Sequence, residues 1–215
     1  MSAHELPHSH AQILRRGSQT GEARAGLIML HGRGATAESI LALAEELDIE
    51  ETAVLAPQAE GSVWYPQSFL APREANQPGI DGAFAVVSSL IAELEGAGVP
   101  AERICLLGFS QGACLAADYL LHYPGRYGGV LALSGGLIGP PGTAFEPAGT
   151  LSGTPVFLGC SDSDPFIPAE RVAETHEALE RAGAASEIQL YPGMPHTINA
   201  DEVARVNRIL RGTRD

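Results

Sequence analysis

Six short, almost unbroken apolar runs recur along the chain, and stretches with helical spacing separate most of them. GLIMLHG (26–32), TAVLAP (52–57), RICLLGF (103–109), GGVLALS (128–134), TPVFLG (154–159) and SEIQLY (186–191) are each the length of one strand. A strand that is apolar at successive positions has to be covered on both faces. Strands of that kind alternating with helices predict an α/β fold, a mainly parallel sheet with helices on both sides. Thr36 can cap a first helix that presents Ile40, Ala44 and Leu47 on one face. A second helix starts at Asp81 with Phe84, Val87, Ile91 and Leu94 inward, and Gly96, Gly98 and Pro100 stop it. A third runs through QGACLAADYLLHY to Pro124, and a fourth spans 168–182 with Val172, Leu179 and Ala182 inward. Asn199 and Glu202 form a capping pair for a last helix carrying Val203, Val206 and Leu210.

At 215 residues this pattern predicts a single domain over 1–215, with 1–20 as a loosely packed N-terminal segment or an edge strand. Two connections are longer than usual, 58–79 and 135–153. The first carries the only tryptophan, Trp64, with Tyr65 and Phe69; the second, rich in Gly and Pro, reads as a plain connector. A net charge of −13 leaves no basic stripe to neutralise phosphates, which argues against nucleic acid and against anionic membrane surfaces. No apolar stretch approaches the roughly 18 residues of a membrane span, so no stable membrane insertion is expected. MSAHELPHSHAQILRRG lacks the apolar core of a signal peptide. Three cysteines without metal-like or paired spacing suggest a reducing, cytoplasmic setting and no metal site. A homodimer stays open.

The chemistry gathers at strand ends. LLGFSQGAC (106–114) contains G-x-S-x-G, a weak signal by itself in a chain with 25 glycines. Here a buried strand precedes it and a helix follows at once, the setting of a nucleophile elbow, so Ser110 is the expected nucleophile. Of the histidines after it, His122 closes the elbow helix and His176 lies in mid-helix. His196, in the YPGMPHTIN loop behind the last strand, is the expected base. TPVFLG is followed by CSDSDPFIP, and spacing leaves both Asp162 and Asp164 available as the acid. Pro165 favours an extended backbone at residue 164. The backbone N–H groups of Arg33, in LHGRGAT, and of Gln111 are the expected oxyanion donors. His31 is expected to brace that loop, and the Arg33 side chain to stand in solvent. Trp64, Tyr65, Phe69, Leu70, Phe166 and Met194 are candidates for an apolar substrate wall.

LHGRGAT, GFSQG, GCSDSDPFIP and PGMPHTI, in this order and over about 26–210, resemble the phospholipase/carboxylesterase family of α/β-hydrolases, to which acyl-protein thioesterases belong. The resemblance implies the α/β-hydrolase fold, Ser110 and His196 as a catalytic pair, and Asp164 rather than Asp162 as the acid. It also implies hydrolysis of a small-molecule carboxylic ester or thioester without a cofactor. Lysophospholipase or acyl-thioesterase activity would use the same residues, and a dienelactone-type hydrolase would more typically carry cysteine in place of Ser110. A binding protein that keeps the fold without catalysis is the alternative of another class. GCSD, where relatives often carry His-Gly, and the WYPQSFLAPREANQPG loop point away from protein depalmitoylation more than from ester hydrolysis.

Overall fold

The computed structural model describes residues 5–214. Seven strands form one sheet: β1 (Ile13–Gly17), β2 (Ala25–Leu30), β3 (Thr52–Pro57), β4 (Ile104–Phe109), β5 (Gly129–Leu133), β6 (Pro155–Ser161) and β7 (Ala185–Tyr191). Their order across the sheet is β1-β3-β2-β4-β5-β6-β7. β1 runs antiparallel to β3, and every other pairing is parallel. The period of two in a strand explains the unbroken apolar runs. In β2, Ile28 and Leu30 enter one core while Leu27 and Met29 enter the other. β4 divides in the same way, with Ile104 and Leu106 against Cys105 and Leu107.

Five helices cover the two faces: α1 (Ala37–Ala42), α2 (Gly79–Gly96), α3 (Gln111–His122), α4 (Ala169–Arg181) and α5 (Ala200–Gly212). α2, α3 and α4 pack on one side through residues such as Phe84, Leu120 and Val172; α1 and α5 pack on the other through Ile40 and Val206. Thr36 caps α1 in a capping box with Ser39. The expected run to Leu47 is shorter as α-helix: α1 ends at Ala42 and tightens into a 3-10 turn over Leu43–Glu45, with Ala44 and Leu47 still buried. Asn199 and Glu202 close a capping box on α5. In α3 every residue from Gln111 to Leu121 is buried.

Of the segment 1–20, residues 1–4 lie outside the described residues, and β1 forms a sheet edge. Arg15 and Arg16 pair with Glu93 and Glu45 there, charges that discourage a further strand from adding. Among the described residues before β1, the chain is tied down through His8. His8 is buried, bonds the Trp64 carbonyl through Nε2 at 3.0 Å and accepts the Glu60 amide at Nδ1. The 135–153 connection is more than a connector: it buries Leu137, Ile138, Phe145 and Leu151. Buried Arg171 of α4 holds its Leu137 and Gly139 carbonyls.

Candidate active site

Ser110 sits between the last residue of β4 and the first of α3, at φ 55° and ψ −117°. Positive φ is costly for a residue with a side chain and persists only where the surroundings impose it. Here the Ser110 amide donates to the Leu133 carbonyl at 2.9 Å, and its carbonyl accepts the Cys114 amide at 3.0 Å. The turn also needs bare backbone on both sides. A Cβ on Gly108 would strike the Gly112 backbone, and one on Gly112 would strike the Leu30 carbonyl.

Beside the elbow, the chain leaving β2 is held by His31, which is fully buried. Its Nδ1 bonds the Gly32 carbonyl at 2.8 Å while Nε2 accepts the Ala59 amide at 3.1 Å, the pattern of a neutral ring. Burial pushes this imidazole below its ordinary value, against the opposing pull of the Gly32 bond. The Arg33 side chain is not the free solvated charge expected from sequence. Its guanidinium donates to the carbonyls of Tyr65 (2.8 Å), Pro66 (3.0 Å) and Gln67 (2.6 Å). A planar fork of N–H donors suits this task, because one side chain reaches three acceptors.

On the far side of the cleft, His196 Nδ1 and Asp164 Oδ2 are 2.6 Å apart, and the Asp164 side chain is fully covered. Asp164 Oδ1 accepts the amides of Phe166 (2.9 Å) and Ile167 (3.1 Å), which fixes the carboxylate in its own turn. Burial alone would raise the Asp164 carboxyl. The His196 bond and the two amides outweigh it and hold the group below the usual carboxylate range. Asp162 does a different job: its Oδ1 accepts the Gly193 amide at 2.9 Å and pins the loop that carries His196. The imidazole lies between Phe109 and Phe166, with ring centroids at 4.8 and 5.0 Å.

Ser110 and His196 line one cavity of about 440 Å³, with Gln111, Tyr65, Phe69 and Phe166 also in its wall. Strand ends thus bring a hydroxyl on a strained turn, an imidazole and a covered carboxylate to one rim. Among the described residues, no three His, Cys, Asp or Glu side chains come together to hold a metal ion. The family described as Phospholipase/Carboxylesterase matches residues 12–213.

The chain belongs to the phospholipase/carboxylesterase family.

It is a hydrolase of the carboxylesterase type with the α/β-hydrolase fold. A solved phospholipase/carboxylesterase from Dyadobacter fermentans is 44% identical, with a TM-score of 0.89 over 93% of this chain and 96% of that one. Esterase PE8 is 25% identical, with a TM-score of 0.78 over 94% and 98% of the two chains. The acyl-protein thioesterase 1 of Eremothecium gossypii is 27% identical over 207 residues, 86% of each chain.

Within this phospholipase/carboxylesterase, Tyr65, Phe69 and Phe166 line the cavity, whereas Trp64, Leu70 and Met194 do not. Trp64 turns inward because its indole N–H finds the His31 carbonyl at 2.9 Å and its ring packs on His31 and His8. Leu70 packs against the core, and the Met194 sulfur accepts from the Asn199 amide group at 2.9 Å. His122 and His176 bond the Asp118 carbonyl and the Ser186 hydroxyl, and neither lines the cavity. Sequence reading missed Phe109, Cys114 and Ile167 in the wall. Phe109 was within reach, since it stands next to Ser110 in G-F-S-Q-G. It also missed Glu202 as a buried acid: its Oε1 and the Ser134 hydroxyl are buried without a hydrogen-bond partner.

Proposed function

We propose that this protein hydrolyses small-molecule carboxylic esters through an acyl-enzyme, with Ser110 as nucleophile, His196 as general base and Asp164 as the acid behind it. One observation supports this above the others. Ser110 and His196 share one cavity wall, while Nδ1 of the imidazole is tied 2.6 Å from a covered carboxylate. That bond fixes the tautomer and leaves Nε2 to take the serine proton. The hydroxyl attacks the ester carbonyl, and the Asp164 carboxylate stabilises the imidazolium that forms. His196 then hands the proton to the departing alcohol, and water repeats the attack on the acyl-serine. The oxyanion is received by the Arg33 and Gln111 amides. Gln111 opens α3, where the leading N–H groups have no carbonyl of their own helix to bond.

The cavity lies in the size range of small-molecule sites, and Tyr65, Phe69, Phe109 and Phe166 give its wall an aromatic surface. No helix among the described residues is long and apolar enough to cross a membrane. All three cysteines are buried free thiols, which supports a cytoplasmic reading. Acyl thioesters are the second reading, favoured by the acyl-protein thioesterase relatives and served by the same residues. A matched oxoester and thioester pair separates the two by their ratio of kcat/KM.

The decisive experiment is labelling with a fluorophosphonate. Wild-type protein is expected to be labelled on Ser110, and Ser110→Ala to lose both labelling and ester turnover. Turnover that persists in Ser110→Ala rejects the proposal.

A further inference from the structure

The segment 62–69 is fastened at nearly every residue, and the two proposed oxyanion residues supply five of the hydrogen bonds that hold it. Gln111 Oε1 accepts the Trp64 amide at 2.9 Å, and its Nε2 donates to the Tyr65 carbonyl at 2.8 Å. Arg33 donates to that same Tyr65 carbonyl and to those of Pro66 and Gln67. The Gly34 amide takes the Ser62 carbonyl at 2.8 Å. Further along, buried Asn76 accepts the Gln67 amide and donates to the Ser68 carbonyl, and the Gly139 amide donates to the Phe69 carbonyl. This is the stretch that carries Tyr65 and Phe69 into the cavity wall.

Each of these two residues therefore has two ends in the site. Its backbone N–H is the proposed oxyanion donor, and its side chain grips the wall on which the acyl group would rest. The two grips meet on one atom, the Tyr65 carbonyl oxygen. A wall fastened this way cannot yield to a bulky acyl group without dragging the residues that carry the amides.

We infer that the side chains of Arg33 and Gln111 are positioning residues that lock the aromatic wall to the oxyanion hole, so that acyl size is selected during bond-making rather than during binding. This rests on the acyl-enzyme reading of Ser110. An acyl group that fits the wall leaves its carbonyl oxygen between the two amides. One that is too bulky displaces the amides or is itself displaced, and small misplacement at a reacting centre is expensive in rate.

The test compares p-nitrophenyl acetate with p-nitrophenyl decanoate on wild type, Arg33→Met, Gln111→Met and the double variant. Both backbone amides survive these changes. For the acetate, each single variant is expected to lose about tenfold in kcat with KM within about twofold, the sign of an interaction made in the transition state. The ratio of decanoate to acetate in kcat/KM is expected to rise as the wall loosens. Because the two side chains share an acceptor, the double variant should lose far less than the product of the single losses. Arg33→Lys keeps the charge and the fold but cannot span three carbonyls, so it should follow Arg33→Met in direction.

Unchanged kcat and unchanged acyl preference in Arg33→Lys and Gln111→Met overturn the inference, as does a fully multiplicative double variant. Fluorophosphonate labelling of the same samples keeps the two hypotheses apart. Absence of Ser110 labelling in wild type defeats the acyl-enzyme reading itself, whereas normal labelling with wild-type kinetics in the variants defeats only the lock.

Discussion

The two sides of the cleft are built from opposite materials. On the side of the proposed oxyanion donors, guanidinium and amide side chains hold backbone carbonyls, and the His31 imidazole is buried and pushed below its ordinary value. On the imidazole side, carboxylates do the holding: Asp164 on His196, Asp162 on the Gly193 amide, and Glu202 on the Asn199 amide at 2.9 Å. One side thus holds through donated N–H groups and the other through accepting carboxylates, of which Glu202 is raised by burial.

The strongest way to break this contrast is Asp164→Asn. It leaves the shape but loses the charge that favours the imidazolium, and kcat is expected to fall by about 10⁴. Asp162→Asn, which loosens only the loop, should lose far less; equal losses in ester turnover would erase the distinction between the two carboxylates.

Next comes Glu202, whose buried carboxyl is raised by desolvation to about 7, partly opposed by the Asn199 amide. A raised folded value means that Glu202 favours the fold most fully at pH below its unfolded value. That contribution is lost as pH climbs from about 4.5 towards 7, roughly 3 kcal/mol in all at about 1.4 kcal/mol per unit. Asp164, held low, runs the other way and withdraws its support as pH falls. Denaturant unfolding across this window should show the stability of wild type falling relative to that of Glu202→Gln as pH rises, since His31, held low by burial, pulls the other way equally in both. An equal slope in the two proteins would remove Glu202 from the titrating groups.

The smallest effect is expected at Phe166, 65% exposed at the cavity mouth with its ring edge against His196. Phe166→Ala should cost only a few-fold in kcat/KM, because one exposed ring contact is worth about 0.5–1.5 kcal/mol. A loss as large as that of Asp164→Asn would make the ring part of the relay rather than its cover.

How much of this could be read in advance depended on where the partners lie. The buried strands were legible because two-sided burial leaves an unbroken apolar run, as in β2 and β4. The elbow was legible because Gly108, Ser110 and Gly112 stand together in five residues. Asp162 and Asp164 could not be ranked by spacing, since both belong to one turn and differ only in which loop each faces. The Arg33 grip was hidden for another reason: its acceptors are backbone carbonyls 32 to 34 residues away, and every sequence supplies carbonyls. Trp64 misled because an aromatic side chain in a long loop suggests a pocket, whereas its real neighbours are two histidines from distant segments. Glu202 was visible as a cap, but its burial depends on Gly159, whose missing side chain makes room for the carboxylate.

The helix that begins beside Ser110 has almost no solvent face from Gln111 to Leu121. Fraying and local breathing start where backbone meets water, so the Ser110 hydroxyl stands at the head of one of the last segments to come apart. Chemical competence, on the proposed reading of Ser110, and wholeness of the molecule are thereby joined: a partly unravelled chain that had lost its outer helices could still keep this corner, but once α3 loosens the hydroxyl is no longer held in place.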